Sequence, residues 1–210
     1  MFVPTIYIEN SNNNMSVEVS DKKLHHLIQV LRLRDGDKVN ISDGKGLISY
    51  GNFINNYVEI KNSRMYQRQN SLKIFVPYLR EKSRFRFLIE KLTELNVNEI
   101  HIGMTKNTQN TNYSKLEIKE WLVSALEQSG SAYLPKLFFP ENINFNDFST
   151  CFDISGEVFD KNVIKLNNFA IGPEGGWTDE ELSKFQHKIK ISEFSLRTET
   201  AAITAVSLMM

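Results

Sequence analysis

The stretch Phe169–Leu182, FAIGPEGGWTDEEL, leaves this chain few ways to fold locally. Phe169-Ala170-Ile171 is a continuous apolar run of the kind that forms a short buried strand. Gly172-Pro173-Glu174-Gly175-Gly176 cannot prolong it, because Pro lacks the ladder N–H and Gly weakens a strand interior. Thr178, with Glu181 three residues on, fits a capping box and predicts a helix start there. In open α/β sheets, ligands sit beyond the carboxyl ends of such strands. Glycines at that point let backbone polar groups approach a ligand with no Cβ in the way. The turn has neither the Lys-Ser/Thr of a phosphate loop nor the G-x-G-x-x-G of a dinucleotide site. A Glu inside it is a poor neighbour for pyrophosphate, so a neutral or cationic ligand read by backbone suits it better. On the glycines alone, a plain strand-to-helix turn is the simpler reading.

A second segment shifts that balance. Ser195–Ala202, SLRTETAA, follows a further short strand expected at Ile189–Ile191 and leads into a helix of small residues. The pair IGPEGGWTDEE and LRTETAA closely resembles the two cofactor loops of the SPOUT superfamily of RNA methyltransferases. Within it, the match is to the family that methylates N3 of a uridine in small-subunit (16S) ribosomal RNA.

The resemblance extends over nearly the whole chain. In Lys82–Val97, the residues Arg84, Phe85, Lys91, Thr93, Glu94, Leu95 and Val97 match the family's pattern. Ser83 and Arg86 replace its usual acids, and Asn96 replaces its Gly. Glu127-Gln128-Ser129 matches, while Ser131 stands where a basic residue is common and Asn107-Thr108 where an Arg-Ser pair is usual. Near the second loop, Ile191-Ser192 replaces Leu-Gly and Ser195 replaces the first Arg. Ser192 puts a Cβ where backbone is expected to meet the cofactor. Each lost basic residue removes a contact to RNA or substrate. In the N-terminal part, His25–Arg34, HHLIQVLRLR, resembles the family's "H…VLR" segment.

The family likeness implies an α/β fold. It consists of a C-terminal SPOUT domain with a deep trefoil knot, an exception to the rule that chains do not thread loops, and a small N-terminal PUA-like β-barrel that binds RNA. It implies S-adenosyl-L-methionine as cofactor, ribosomal RNA or the small subunit as partner, and a homodimer. The cofactor would lie against Ile171, Gly172, Pro173, Glu174, Gly175 and Gly176 on one side. Ile191, Ser192, Leu196, Thr198, Thr200 and Ala201 would face it from the other.

The reaction then needs orientation more than covalent help, since a sulfonium methyl is already activated. An imide N–H must lose its proton, and the charge spreads onto the flanking carbonyl oxygens, where a cation would stabilise it. Arg197, with its fixed donor fork, is the first choice; its alternative role is a salt bridge to Glu199 or Glu174. Glu199 and Glu174 are the candidate bases, although Glu199 is also well placed as an anion at a helix N-terminus. His25, Arg32, Arg34, Lys82 and Arg84 are the candidate RNA contacts.

The rest of the chain fits two domains, 1–70 and 71–210. The first reads as short strands at Thr5–Ile8, Ser16–Val19, Lys38–Ser42, Leu47–Phe53 and Tyr57–Ile60, punctuated by Asp-Gly turns, with one short helix. A polar linker is expected at Asn62–Leu72. Beyond it, strands at Leu72–Tyr78, Glu99–Met104, Leu137–Phe139, Val158-Phe159 and Phe169–Ile171 alternate with helices at Ser83–Leu95 and Ser114–Gln128. That alternation implies a largely parallel sheet. The last helix is expected at Ala201–Met210.

A single cysteine, Cys151, excludes an internal disulfide framework. His25 and His26 do not share a helix face, and with only His101 and His187 besides, no zinc spacing exists. No signal peptide or bilayer-spanning run is visible, so a soluble cytoplasmic protein is expected. Net charge is zero. Yet Lys61–Lys91 holds nine basic residues (Lys61, Arg64, Arg68, Lys73, Arg80, Lys82, Arg84, Arg86 and Lys91) against Glu81 and Glu90, which predicts a basic face for phosphates. Two other readings stay open: a SPOUT-fold protein that binds RNA without chemistry, and a SPOUT methyltransferase acting on another target such as a ribose 2′-hydroxyl.

Overall fold

The computed structural model describes residues 3–9, 15–68, 71–109, 111, 113–160 and 166–210. The chain divides into two compact units. The first is Met1–Arg68 with Val123–Leu134, and the second is Gln69–Leu122 with Pro135–Met210. Of the expected linker, Gln69 and Asn70 lie outside the described residues.

The first unit contains β1 (Thr5–Tyr7), β2 (Ser16–Glu18), α1 (Asp21–His25), β3 (Lys38–Ser42), β4 (Leu47–Ile54) and β5 (Tyr57–Met65), with α1 running on as a wider π-type turn over His26–Val30. The strands form one sheet in the order β1-β3-β4-β5-β2, a half-barrel in which only β1 and β3 run parallel. Alternation decides what is inside. Val39 and Ile41 of β3, Phe53 of β4 and Val58 of β5 are buried with Ile6, Val17, Val19 and Leu27. β5 continues five residues past the expected Ile60, into the segment read as linker, because Asn62–Met65 pair with β4. Polar residues suit a strand whose outer face meets water.

The second unit contains β6 (Lys73–Pro77), α2 (Lys82–Glu94), β7 (Glu99–Gly103), α3 (Lys115–Ser129), β8 (Lys136–Phe138), β9 (Thr150–Val158), β10 (Asn168–Ile171), α4 (Asp179–Leu182), β11 (His187–Lys190) and α5 (Thr198–Met209). Its sheet is wholly parallel, in the order β11-β9-β10-β6-β7-β8. Strands covered on both faces read as unbroken apolar runs, and Ile74, Phe75 and Val76 of β6 and Phe169 and Ala170 of β10 are fully buried. α2 buries Phe85, Leu88, Ile89 and Leu92, one stripe at helical spacing, and packs against α5. Each such side chain contributes about 1.5–3 kcal/mol by leaving water. The helix stops at Asn96, whose φ of +54° is the left-handed conformation that ends helices. Asn tolerates that region better than other side chains, so it can end the helix without a Gly.

The second half of α3 belongs to the first unit. There Glu127 accepts hydrogen bonds from the Tyr7 backbone N–H (2.8 Å) and Lys23 Nζ. The Ser42 hydroxyl donates to the Ser131 carbonyl at 2.9 Å. The Glu-Gln-Ser motif is therefore structural at its first residue, and Ser131 closes a turn against Tyr133.

One strand escaped the sequence reading. β9 spans Thr150–Val158, not Val158-Phe159, and sits between β10 and β11. Its register against β11 shifts between Lys188 and Ile189, where Gly156 lies so close that a Cβ would meet the Lys188 carbonyl carbon at 2.4 Å. A glycine and an Asp inside a strand hide it from a pattern search, and the bulge is why they are there. Cys151 in this strand is fully buried, and burial pushes its thiol up to about 12, which removes it as a nucleophile.

Candidate functional site

The carboxyl ends of β10 and β11 and the middle of β9 open onto a cleft of about 200 Å³. Its walls are Ile171–Trp177 after β10, the segment from Ile189 to Ala201 after β11, and Phe152–Ile154 on β9. The two glycine- and threonine-rich bends therefore meet. The Thr198 hydroxyl donates to the Gly172 carbonyl at 3.0 Å, joining one bend to the other. Of the residues expected at the ligand, Ile171, Gly172, Pro173, Glu174, Gly176, Ile191, Ser192, Leu196, Thr198 and Ala201 line the cleft. Gly175 and exposed Thr200 do not. Phe152, Asp153, Ile154 and Trp177 line it unforeseen, the first three because β9 itself was not recognised.

The first bend is held from several directions. Thr178 caps α4 with a complete capping box: its side chain accepts from the Glu181 N–H, and Glu181 Oε2 accepts from the Thr178 N–H at 2.9 Å. Glu181 is 3% exposed, and its second oxygen accepts from the Lys106 N–H at 2.9 Å. Asn107 Nδ2 donates to the carbonyls of Gly175 (3.1 Å) and Gly176 (3.0 Å), a use for the residue that replaces the family's Arg. Gly172 is irreplaceable on steric grounds: a Cβ there would stand 2.9 Å from Nε1 of buried Trp177.

Arg84 binds the same bend. Its Nε and Nη2 donate to the two oxygens of Glu199 at 2.9 and 2.6 Å, and Nη1 donates to Glu174. The expectation that Arg84 grips RNA phosphates is corrected here, since all three of its nitrogens already donate to carboxylates and its side chain is only 20% exposed. Hydrogen bonding to Glu199 raises the Arg84 guanidinium above its already high ordinary value, against the opposing effect of burial. The same bond, above all, holds the Glu199 carboxyl below its usual range, although burial acts the other way. A carboxylate stabilised in its charged form and closed off at both oxygens is a poor proton acceptor, so Glu199 is corrected from candidate base to buried counter-charge.

Arg197 stands differently. It is the N-cap residue of α5, exposed, and paired with neither Glu174 nor Glu199 among the described residues. The salt bridge weighed as its alternative role belongs to Arg84 instead. His25, Arg32 and Arg34 of the first unit are exposed, and Arg32 has a positive φ of +56°. Exposed Lys82 pairs with Glu117 at 2.5 Å.

Six of the nine basic residues of the expected basic face meet carboxylates. Lys61 meets Glu59, Lys73 meets Asp147, Lys82 meets Glu117, Arg84 meets Glu174 and Glu199, Arg86 meets Glu90, and Lys91 meets Glu94. Arg64 and Arg68 lie over the rings of Tyr66 and Tyr133. No group of three or more His, Cys, Asp or Glu among the described residues is arranged to hold a metal ion, and no helix among them is long and apolar enough to cross a membrane.

A family model described as an RNA methyltransferase domain matches residues 67–210, and one described as an RNA methyltransferase PUA domain matches residues 19–48. Similar proteins include ribosomal RNA small subunit methyltransferase E 2 of Borreliella burgdorferi, 26% identical over 95% of this chain and 93% of that one. Ribosomal RNA small subunit methyltransferase E of Mesomycoplasma hyopneumoniae is 31% identical over 64% of this chain and 67% of its own. Among solved structures, the ribosomal RNA small subunit methyltransferase E of Neisseria gonorrhoeae, bound to S-adenosyl methionine, superposes with a TM-score of 0.84 at 23% identity, covering 99% and 97% of the two chains. A predicted RNA methyltransferase from Thermotoga maritima gives 0.77 at 25% identity, covering 98% and 96%.

Proposed function

Because the chain belongs to the RNA methyltransferase family whose model spans most of its length, we propose that it methylates N3 of a uridine in small-subunit (16S) ribosomal RNA, with S-adenosyl-L-methionine as donor. The observation that carries this reading is the single cleft built from both bends, tied by the Thr198–Gly172 hydrogen bond.

The residues present fit such a donor. Ile171, Ile189 and Leu196 give the cleft apolar walls, and the glycine turn exposes backbone to it. Glu174, the carboxylate in the turn, shares the Arg84 guanidinium with Glu199, and the negative charge that one cation leaves over suits a donor whose reacting centre is a sulfonium. When bound, the donor supplies an already activated methyl group. The protein's part is to exclude freedom: the clamped bend fixes one side of the ligand, and the second segment covers the other. Arg197, exposed at the start of α5 and in no ion pair with Glu174 or Glu199 among the described residues, supplies a guanidinium for the charge that develops on the uracil oxygens as N3 loses its proton. With Glu199 engaged, water is the proton acceptor. Exposed His25, Arg32 and Arg34 are the RNA contacts of the first unit.

The protein acts as a homodimer, a reading supported by the exposure of Leu208 in α5 and of Met210 just after it. The test is a methyl-transfer assay on small ribosomal subunits from cells lacking this gene, with the product nucleoside identified by mass. A methyl on a uracil ring is expected; a ribose methyl, or none, overturns the proposal. Arg197→Ala should lower turnover by roughly 100-fold with little change in donor affinity. Equal loss of both would make Arg197 an anchor instead.

A further inference from the structure

We propose that Arg84 is a positioning residue: it locks the glycine turn to the start of α5 and so sets the width of the cleft, an inference that rests on the methyl-donor reading above. Three elements meet in this one side chain. Arg84 rises from the first turn of α2, Glu174 sits in the turn after β10, and Glu199 lies in the first turn of α5. Glu174 lines the cleft on one side, and Thr198 and Ala201, flanking Glu199 in sequence, line it on the other. The guanidinium is thus a rivet behind the cleft, joining its two walls without lining it itself.

The geometry separates this role from the alternatives. A phosphate grip needs the fork turned outward, but Nε, Nη1 and Nη2 each already donate to a carboxylate oxygen, which leaves one N–H on Nη1 and one on Nη2 of a side chain only 20% exposed. A purely structural pair would join two elements away from the ligand, whereas here one partner is in the ligand's wall. The bidentate contact to Glu199 holds the fork in one plane, and that plane dictates where Nη1 points and hence where the turn lies. Without Arg84, two carboxylates that converge on one cation would face each other, and like charges at such range repel. The Thr198–Gly172 hydrogen bond would then be the single remaining side-chain tether between the walls among the described residues. A shift of the turn by a fraction of an ångström widens the cleft directly.

The experiment is titration calorimetry of the full chain with S-adenosyl-L-methionine, alongside filter binding of 16S RNA without donor and a thermal melt. Arg84→Ala should raise the donor Kd roughly tenfold or more, leave RNA affinity unchanged, and Arg84→Lys should recover only part, because an ammonium lacks the planar fork. In the Arg84→Ala background, adding Glu174→Gln should regain affinity by removing the repulsion; a further loss would show Glu174 binding ligand directly and overturn the rivet. Should Arg84→Ala fail to fold, Arg84→Lys and Glu174→Gln carry the test, each expected to weaken donor binding severalfold with a near-normal melt. Unchanged donor Kd in these variants overturns the inference, and lost RNA affinity beside it returns Arg84 to phosphate contact. Wild-type protein that binds no donor overturns the methyltransferase reading itself, a result distinct from any variant effect.

Discussion

The two walls of the cleft are built to opposite standards. The glycine turn is held by side chains from α2, from the segment after β7 and from α5, and it ends in buried Trp177, whose Nε1 donates to the Phe152 carbonyl at 3.4 Å. The facing segment is tied at its far end, through Thr198 and Glu199, but between Lys190 and Leu196 it has almost none of this. Glu193, Phe194 and Ser195 are exposed, and their contacts are local: the Phe194 N–H to Ser192 Oγ at 3.1 Å, and Lys190 to Glu193. One wall is a fixed surface and the other a yielding rim. The departures from the family pattern at Ser192 and Ser195 fall on this rim, where both residues line the cleft. A site can absorb substitution on the side that moves, provided the opposite side does not.

That contrast can be tested from its strongest point downward. Glu199→Gln removes the bidentate partner of Arg84 and should cost about 3 kcal/mol of stability at neutral pH, measured by urea unfolding. The loss should shrink in acid. The Glu199 carboxyl is held below its ordinary value of 4.5, so its contribution is complete above that pH and disappears as the pH falls through its lower folded value. Wild type and variant should therefore converge as the pH falls below 4.5 and through that lower folded value; parallel profiles would mean that the charge contributes nothing. Gly172→Ala drives a Cβ into buried Trp177 and should cost about 2 kcal/mol together with donor binding. A variant that binds normally would show that the fixed wall is soft. Asn107→Ala removes two donors from the turn and should cost about 1 kcal/mol, with a smaller rise in donor Kd. Phe194→Ala on the rim, where the ring is 82% exposed, should change stability by less than about 0.5 kcal/mol. A larger effect would place Phe194 in a packed interface and dissolve the contrast.

Much of this was legible in the sequence because it is local. Thr178 and Glu181 form their capping box from neighbouring positions, and the apolar run Phe169–Ile171 could only be a buried strand. The family motifs brought the second bend to the first across residues no periodicity argument connects. What remained hidden is long-range or exceptional. Nothing in a one-dimensional reading tells that Arg84 is spent on two acids 90 and 115 residues away, so it was taken as a phosphate contact. β9 was invisible because Asp153 and Gly156 break the strand pattern for the sake of a bulge. The cluster Lys61–Lys91 was read as a surface of one sign because its acidic partners are, for the most part, drawn from elsewhere in the fold or from the next helical turn.

Those pairings carry a consequence for ionic strength. A lysine or arginine already matched by a carboxylate has little need of dissolved ions, and a nucleic-acid phosphate that took it over would displace a fixed partner instead of a diffusing one. Binding of RNA to this protein should thus respond to added salt less steeply than its number of basic side chains would indicate, with exposed Arg32 and Arg34 setting most of the slope.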